Sequence, residues 1–449
     1  MASIFIISVL VSLHFSNVQI SYGQQHSYNN QQNNNSALNF TKYITLTNNS
    51  ADSVYSKVAA FGNDVYVVWQ QLVSHIASME NASNNDGGFV ANGSNYDIFI
   101  KKSSDGGVTF DKSINLSNNS GFSEHPHLAV YGNNVYVTWI DYGTYTNYKK
   151  GILFRKSNDG GQTFSNIIHL DRFDGHNNMY DIHNSKLGNS NNPEISAFGN
   201  KVYVVWNQEP PNYNNNGNNT NRFVYKILFR ASDNGGSTFK NIKILSNNVS
   251  SLTYPKINTS PTNNGDNVYI VWNTGFSIGD QTRNTNSIFF TKSNNNGDSF
   301  SNSTKINGPI KSIGKPQINS YKNNIYVLWA GIPDFAIGSN IYYTKSADNG
   351  HIFTDPISIN DNRSLNVETI VNKDSVYVLW EGIMSETNKD IFIKTSNDGG
   401  QSFTKDVINL SNNSGLSECP SIALSDNNRI YIVWEDSTPG HHEIFFMRS

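Results

Sequence analysis

The sequence predicts an all-β chain folded as a seven-bladed β-propeller of four-stranded antiparallel blades. Three observations predict it. A short run closed by tryptophan recurs at residues 65–69, 135–139, 202–206, 268–272, 325–329, 376–380 and 430–434, and these runs account for all 7 tryptophans. Each run is apolar at nearly every position, so a strand made from it needs cover on both faces. A sandwich covers one face of each sheet, whereas sheets packed radially cover both. Finally, a glycine-containing turn recurs after the runs, and self-similarity at a fixed period marks a repeat architecture.

Taken in order within a repeat, the innermost strand is expected at segments such as 126–131, 193–198, 255–258, 316–321 and 420–424. A tight turn such as Gly132-Asn133-Asn134 leads into the tryptophan-ended second strand. The third strand reads 98–102, 152–156, 227–231, 288–292, 341–345, 391–395 and 444–448, and runs into the glycine turn. That turn appears six times: SSDGGVTF from Ser103, SNDGGQTF from Ser157, SDNGGSTF from Ser232, SNNNGDSF from Ser293, SADNGHIF from Ser346 and SNDGGQSF from Ser396. A short carboxylate or amide there bonds its own backbone, and glycine supplies the positive φ of a tight hairpin. An outer strand follows, at 113–116, 167–170, 242–245, 304–306, 357–359 and 407–410. The seventh copy is missing from the end of the chain and present at its start, because KYITLTNNS matches SINLSNNS. Residues 43–47 are therefore expected to join the last blade and close the ring; a six-bladed ring with one displaced repeat is the alternative.

Ahead of the repeats, residues 4–15 form an apolar run too short to span a bilayer and of signal-peptide length. Residues 1–23 are expected to be a signal peptide, an uncleaved anchor being the alternative, and 24–39 a Gln/Asn-rich spacer with nothing to bury. The remainder, 40–449, reads as a single propeller domain, extracellular or at the cell surface, with no membrane span in the mature chain and monomeric. Asn-x-Ser/Thr sequons, at Asn81, Asn92, Asn115 and Asn412 among others, suit an exported glycoprotein. Net charge is −3 with no basic cluster, which speaks against a nucleic-acid partner. The single cysteine, Cys419, excludes an internal disulfide and a cysteine-based metal cluster.

The turn motif resembles the Asp box (Ser-x-Asp-x-Gly-x-Thr-Phe/Trp) of the sialidase and bacterial neuraminidase repeat (BNR) superfamily. Its key positions here are Asp105, Asp159, Asn234, Asn295, Asp348 and Asp398, with Asn replacing Asp twice and Ile352 replacing the Thr. The resemblance implies a propeller whose boxes are structural and lie on the face opposite any active site. It also implies, for an enzyme, three arginines clamping a substrate carboxylate, a Tyr nucleophile assisted by Glu, and an Asp acid. Two features depart from that pattern. Family enzymes are typically six-bladed, and their Arg-Ile-Pro signature is replaced by Tyr55-Ser56-Lys57-Val58.

Function is expected on the face that receives the long connections 70–96, 140–150, 170–192, 207–225 and 273–286. There the sequence offers Tyr142, Tyr145, Tyr148, Phe173, Tyr180, Glu209 and Tyr213 as ligand-binding candidates, since aromatic faces with hydrogen-bonding rims suit sugar rings. Asp141, Glu381, Glu435 and Asp436, just beyond blade tryptophans, are the carboxylate candidates for glycosidic cleavage. Acidic residues at strand ends equally bind backbone amides. Arg172, Arg222, Arg283 and Arg363 are the arginines placed on that face. Asp174, His176, Asp181 and His183 share one loop but lack regular ligand spacing, so neither metal nor cofactor is expected. The expected function is binding of a glycan or another cell-surface component through this face, the alternative being an exo-acting glycoside hydrolase of the sialidase type.

Overall fold

The computed structural model describes residues 38–48, 50–74, 94–119, 121–143, 150–172, 188–209, 225–249, 253–263, 265–274, 287–312, 314–332, 339–360 and 363–449. Residues 40–449 form one compact unit of seven antiparallel sheets, with no helix among the described residues. Six sheets come from consecutive segments, and their second strands are Asp64–Ser74, Asn134–Tyr142, Lys201–Gln208, Gly265–Asn273, Asn324–Ile332 and Ser375–Ile383. These are blades 1 to 6. Blade 7 combines Ser417–Leu424, Ile430–Asp436 and Glu443–Arg448 with Ile44–Thr45 from the start of the chain. The expected seven-bladed ring and its closure are thus both found, with Ile44 opposite Phe446 and Thr45 opposite Phe445.

One register repeats around the ring. Each tryptophan faces a large third-strand residue: Phe99, Leu153, Leu228, Phe289, Tyr342, Phe392 and Phe445 in turn. Because side chains alternate across a strand, the two faces of each run serve different neighbours. Val65, Val67 and Trp69 pack with Tyr431, Val433 and Phe446 of blade 7, whereas Tyr66 and Val68 pack with Val137 and Trp139 of blade 2. The core is therefore a set of seams between blades, which is why the runs are apolar on both sides.

The glycine turns follow one wiring. Ser103 Oγ donates to Asp105 Oδ1 (2.7 Å), Gly107 N donates to Ser103 Oγ (2.8 Å), and Val108 and Thr109 N both donate to Asp105 Oδ1 (2.9 Å). Bonds from Thr109 and Ser103 hold the Asp105 carboxyl well below the usual range. Asn234 preserves the pattern with one role reversed, its Nδ2 donating to Thr238 Oγ1 (2.8 Å) where a carboxylate would accept. The second turn glycine lies against an aromatic ring of the preceding blade. A Cβ on Gly236 would sit 2.5 Å from Phe154 Cζ, and one on Gly297 the same distance from Phe229 Cζ. The closing phenylalanine meets that same ring edge-on: Phe239 on Phe154 at 5.1 Å and Phe300 on Phe229 at 4.9 Å. The turn also donates to the short hairpin of its own blade, as Gly160 N does to Asn133 O (2.9 Å), so both lie on one face.

Two element boundaries differ from the sequence reading. Inner strands of blades 1, 2, 3, 6 and 7 run further than their apolar segments, beginning for example at Phe122 and Ser417, and carry a bulge. Outer strands mostly shrink to two paired residues, such as Ile114–Asn115, since beyond the third strand little partner backbone remains in register.

Candidate functional site: the channel mouth

The bulges build the site. Pro126, Pro193 and Pro420 have no N–H to give to the second strand, so the ladder breaks there and one extra inner-strand residue is accommodated. Ser56 and Val367 hold the same place in blades 1 and 6. The preceding residue takes a positive φ each time: Tyr55 (54°), His125 (52°), Asn192 (51°), Asn366 (43°) and Cys419 (49°). For non-glycine residues this conformation is sparsely populated and needs support from its surroundings. In blades 1, 2 and 7 the support is a side chain from the adjoining blade. Glu435 Oε2 accepts from Tyr55 N (2.8 Å), Gln70 Oε1 from His125 N (2.8 Å) and Glu381 Oε2 from Cys419 N (3.4 Å). Each acceptor directly follows a blade tryptophan.

Tyr55, His125, Asn366 and Cys419, with Lys315 and Gln317 of blade 5, line a pocket at the axis. Tyr55 is 37% exposed, and its ring lies 4.5 Å from the His125 ring. Burial, with Cys419 and Glu435 nearby, pushes the Tyr55 phenol up to about 12. Burial, with Lys315 beside it, pushes His125 down to about 3, leaving a neutral ring whose Nδ1 is buried without a hydrogen-bond partner. One layer deeper, the residues after the bulge form a charged girdle. Lys57 pairs with Glu368 (2.7 Å), and Glu194 pairs with both His127 (3.1 Å) and Lys256. Against the desolvation that would raise it, Glu194 is held down to about 2 by His127 and Lys256.

The predicted residues take these places. Glu381 and Glu435 adjoin the mouth as acceptors of strained backbone N–H groups; Glu381 also takes Asn366 Nδ2 (2.9 Å) and Lys389 (2.9 Å). Burial raises the Glu435 carboxyl, and the Cys419 thiol bonds to it. Asp141 is fully buried, accepting from Asn119 Nδ2 (2.8 Å) and Ser123 Oγ (2.9 Å), and burial raises its pKa. Asp436 accepts from Asn413 Nδ2 (2.7 Å), Ser417 Oγ (2.8 Å) and Trp434 Nε1 (3.0 Å). Both aspartates thereby fasten a crossover loop to the next blade. Glu209 accepts from Asn189 and Asn191 (2.9 Å each), and Tyr142 is half-buried opposite Phe122. Arg172 is half-buried beside Asp171 at the end of blade 2, while Arg363 is exposed before blade 6. Tyr145, Tyr148, Phe173, Tyr180, Tyr213, Arg222 and Arg283 lie outside the described residues, as does the 174–183 loop.

Glu418, Glu435 and His442 bring one ligating atom each within 4.8 Å, the metal-like grouping found among the described residues. Its acids are already engaged, Glu418 by Lys389 and Glu435 by Tyr55 N. Of the pocket residues, sequence reasoning singles out only His125 and His127, as histidines flanking Pro126, and gives them no role. The pocket's signal was present in the repeated X-Pro-X at inner-strand starts, as in His125-Pro126-His127 and Lys315-Pro316-Gln317.

No family model matches the sequence, and no curated protein matches it. Among solved structures, the NanB sialidase from Streptococcus pneumoniae is similar, with 11% identity, a TM-score of 0.50 and coverage of 86% of this chain and 83% of that one. A protein of unknown function from Dyadobacter fermentans matches at 12% identity and TM-score 0.50, over 73% of this chain and 94% of that one. At such identities the likeness is one of backbone architecture. In fold, the chain is a sialidase-like β-propeller.

Proposed function

We propose that the chain is a secreted or cell-surface binding propeller that takes a glycan, or another surface component, at the channel mouth opposite the glycine turns. The observation that carries this reading is the mouth itself: one bulge design, repeated in blades 1, 2, 6 and 7, presents Tyr55, His125, Asn366 and Cys419 to one pocket, with the partly exposed tyrosine as an aromatic platform. Support also comes from the acids. Asp141 and Asp436 are consumed in bracing loops, and Glu381 and Glu435 in holding N–H groups. Tyr55→Ala should abolish saccharide binding on a glycan array while leaving the melting temperature within a few degrees. Retained binding would remove the mouth from the reading.

Tyr55 beside Glu435 favours the second reading, an exo-acting glycoside hydrolase with a Tyr-Glu pair. The direction of the tyrosine shift opposes it, because a phenol at about 12 is a poorer nucleophile at neutral pH. Release of a fluorescent leaving group from a glycoside panel, lost in Glu435→Gln, would reverse the preference.

A further inference from the structure

We propose that Glu418, Glu435 and His442 form a binding site for one divalent transition-metal ion at the joint where the last blade meets the first. The inference goes beyond the binding reading and needs no ligand in the mouth. It begins from where the three residues stand. Glu418 lies on the inner strand of blade 7, Glu435 follows the tryptophan of its second strand, and His442 ends the connection into its third. Bonds to the residues leading into blade 1 fix that connection: His442 N donates to Asp52 Oδ1 (2.9 Å), and Ser53 N donates to His442 O (2.8 Å). One ligating atom from each of the three then falls within 4.8 Å of the other two.

His442 supplies the observation that points to an ion. Its Nδ1 is buried without a hydrogen-bond partner, whereas a buried polar atom normally has one. Charge points the same way. Glu381 and Glu418 share Lys389, while Glu435, only 5% exposed, has no Lys or Arg partner among the described residues. Three carboxylates around one ammonium leave two negative charges in excess when all are ionised, which a divalent ion neutralises. Lys389 and Tyr55 N each use part of one carboxylate, but a carboxylate offers about four lone pairs, so those bonds can stay when an ion binds. One imidazole with two carboxylates suits zinc or another first-row ion rather than calcium, whose ligands are oxygens. Such ligands stand about 2.0–2.2 Å from the ion, hence at most about 4.4 Å apart, and the partly exposed Glu418 has only to turn inward.

The test is equilibrium dialysis of the untagged full chain against zinc, manganese and calcium ions, with bound metal counted by atomic spectroscopy. Zinc should be retained through these residues and should raise the melting temperature, because it binds the folded chain. His442→Gln and Glu418→Gln should each weaken zinc binding at least about tenfold. Both variants should keep the metal-free melting temperature within a few degrees of wild type, since the His442 backbone keeps its bonds and Lys389 keeps Glu381. His441→Gln, and His176→Gln combined with His183→Gln, are controls that should bind zinc as wild type does. Zinc binding that survives both His442→Gln and Glu418→Gln unchanged, no zinc binding at all, or calcium bound in its place overturns the proposal. Zinc lost only in the His176 and His183 double variant places the ion in the 174–183 loop and overturns it too.

Discussion

His125 shows how much of this molecule is decided by single residues placed where the backbone is least comfortable. Its positive φ turns its N–H to Gln70 and its ring to the mouth, where it stays neutral. His127 and His169 are likewise pushed down to about 4, mainly by burial. Because the folded pKa values lie below the ordinary 6.5, the unfolded chain takes up protons first on acidification. Stability should therefore be fully present above pH 6.5 and fall between there and about 4, with a slope near 1.4 kcal/mol per pH unit for each histidine. His125→Asn, which tolerates the same φ, should flatten that slope in denaturant melts at pH 7, 6 and 5. Asp141 allows a second check at this scale. Asp141→Ala strands Asn119 and Ser123 and should cost about 1–3 kcal/mol, whereas Asp141→Asn should cost less. Were Asp141 an acid catalyst, the two variants would be equally inactive and nearly as stable as wild type.

At the scale of elements, the joint between turn and neighbouring ring carries the prediction. Gly236 has φ +71° and no room for a Cβ against Phe154, which is itself fully buried. Gly236→Ala should destabilise through strain and overlap together, and Phe154→Ala by about 3–5 kcal/mol, read from urea midpoints. If the turns are independent hairpins, Phe154→Ala will leave the blade 3 turn as protected from hydrogen exchange as before. Strands of this kind were legible in the sequence, because the 135–139 run is buried at every position and its composition says so. The extension of Phe122–Tyr131 past Pro126 was not. It depends on Gln70, a residue of another blade, supplying the acceptor that proline's neighbour needs.

For the whole molecule, the seam in blade 7 decides stability. Leu46 is buried with Val433, Ile444 and Phe446, its N–H bonds to Ile444 O (2.7 Å), and Tyr43 stacks on Phe445 at 4.8 Å. Leu46→Ala should cost about 2–5 kcal/mol, and removal of residues up to Thr47 should leave an unpaired edge that self-associates in size-exclusion chromatography. The blade count was readable from the tryptophans, since each repeat announces itself locally. The mouth was not, because Tyr55, His125, Lys315, Asn366 and Cys419 meet only when the circle is complete. The same seam has a bearing on biosynthesis. Thr47 bonds Ile444 across 397 positions, so at about 5–20 residues per second the leading strand waits some 20–80 s on the ribosome for its mate. Throughout that interval Leu46 lacks the Val433, Ile444 and Phe446 side chains that bury it in the finished ring, so its cover arrives only with the last blade.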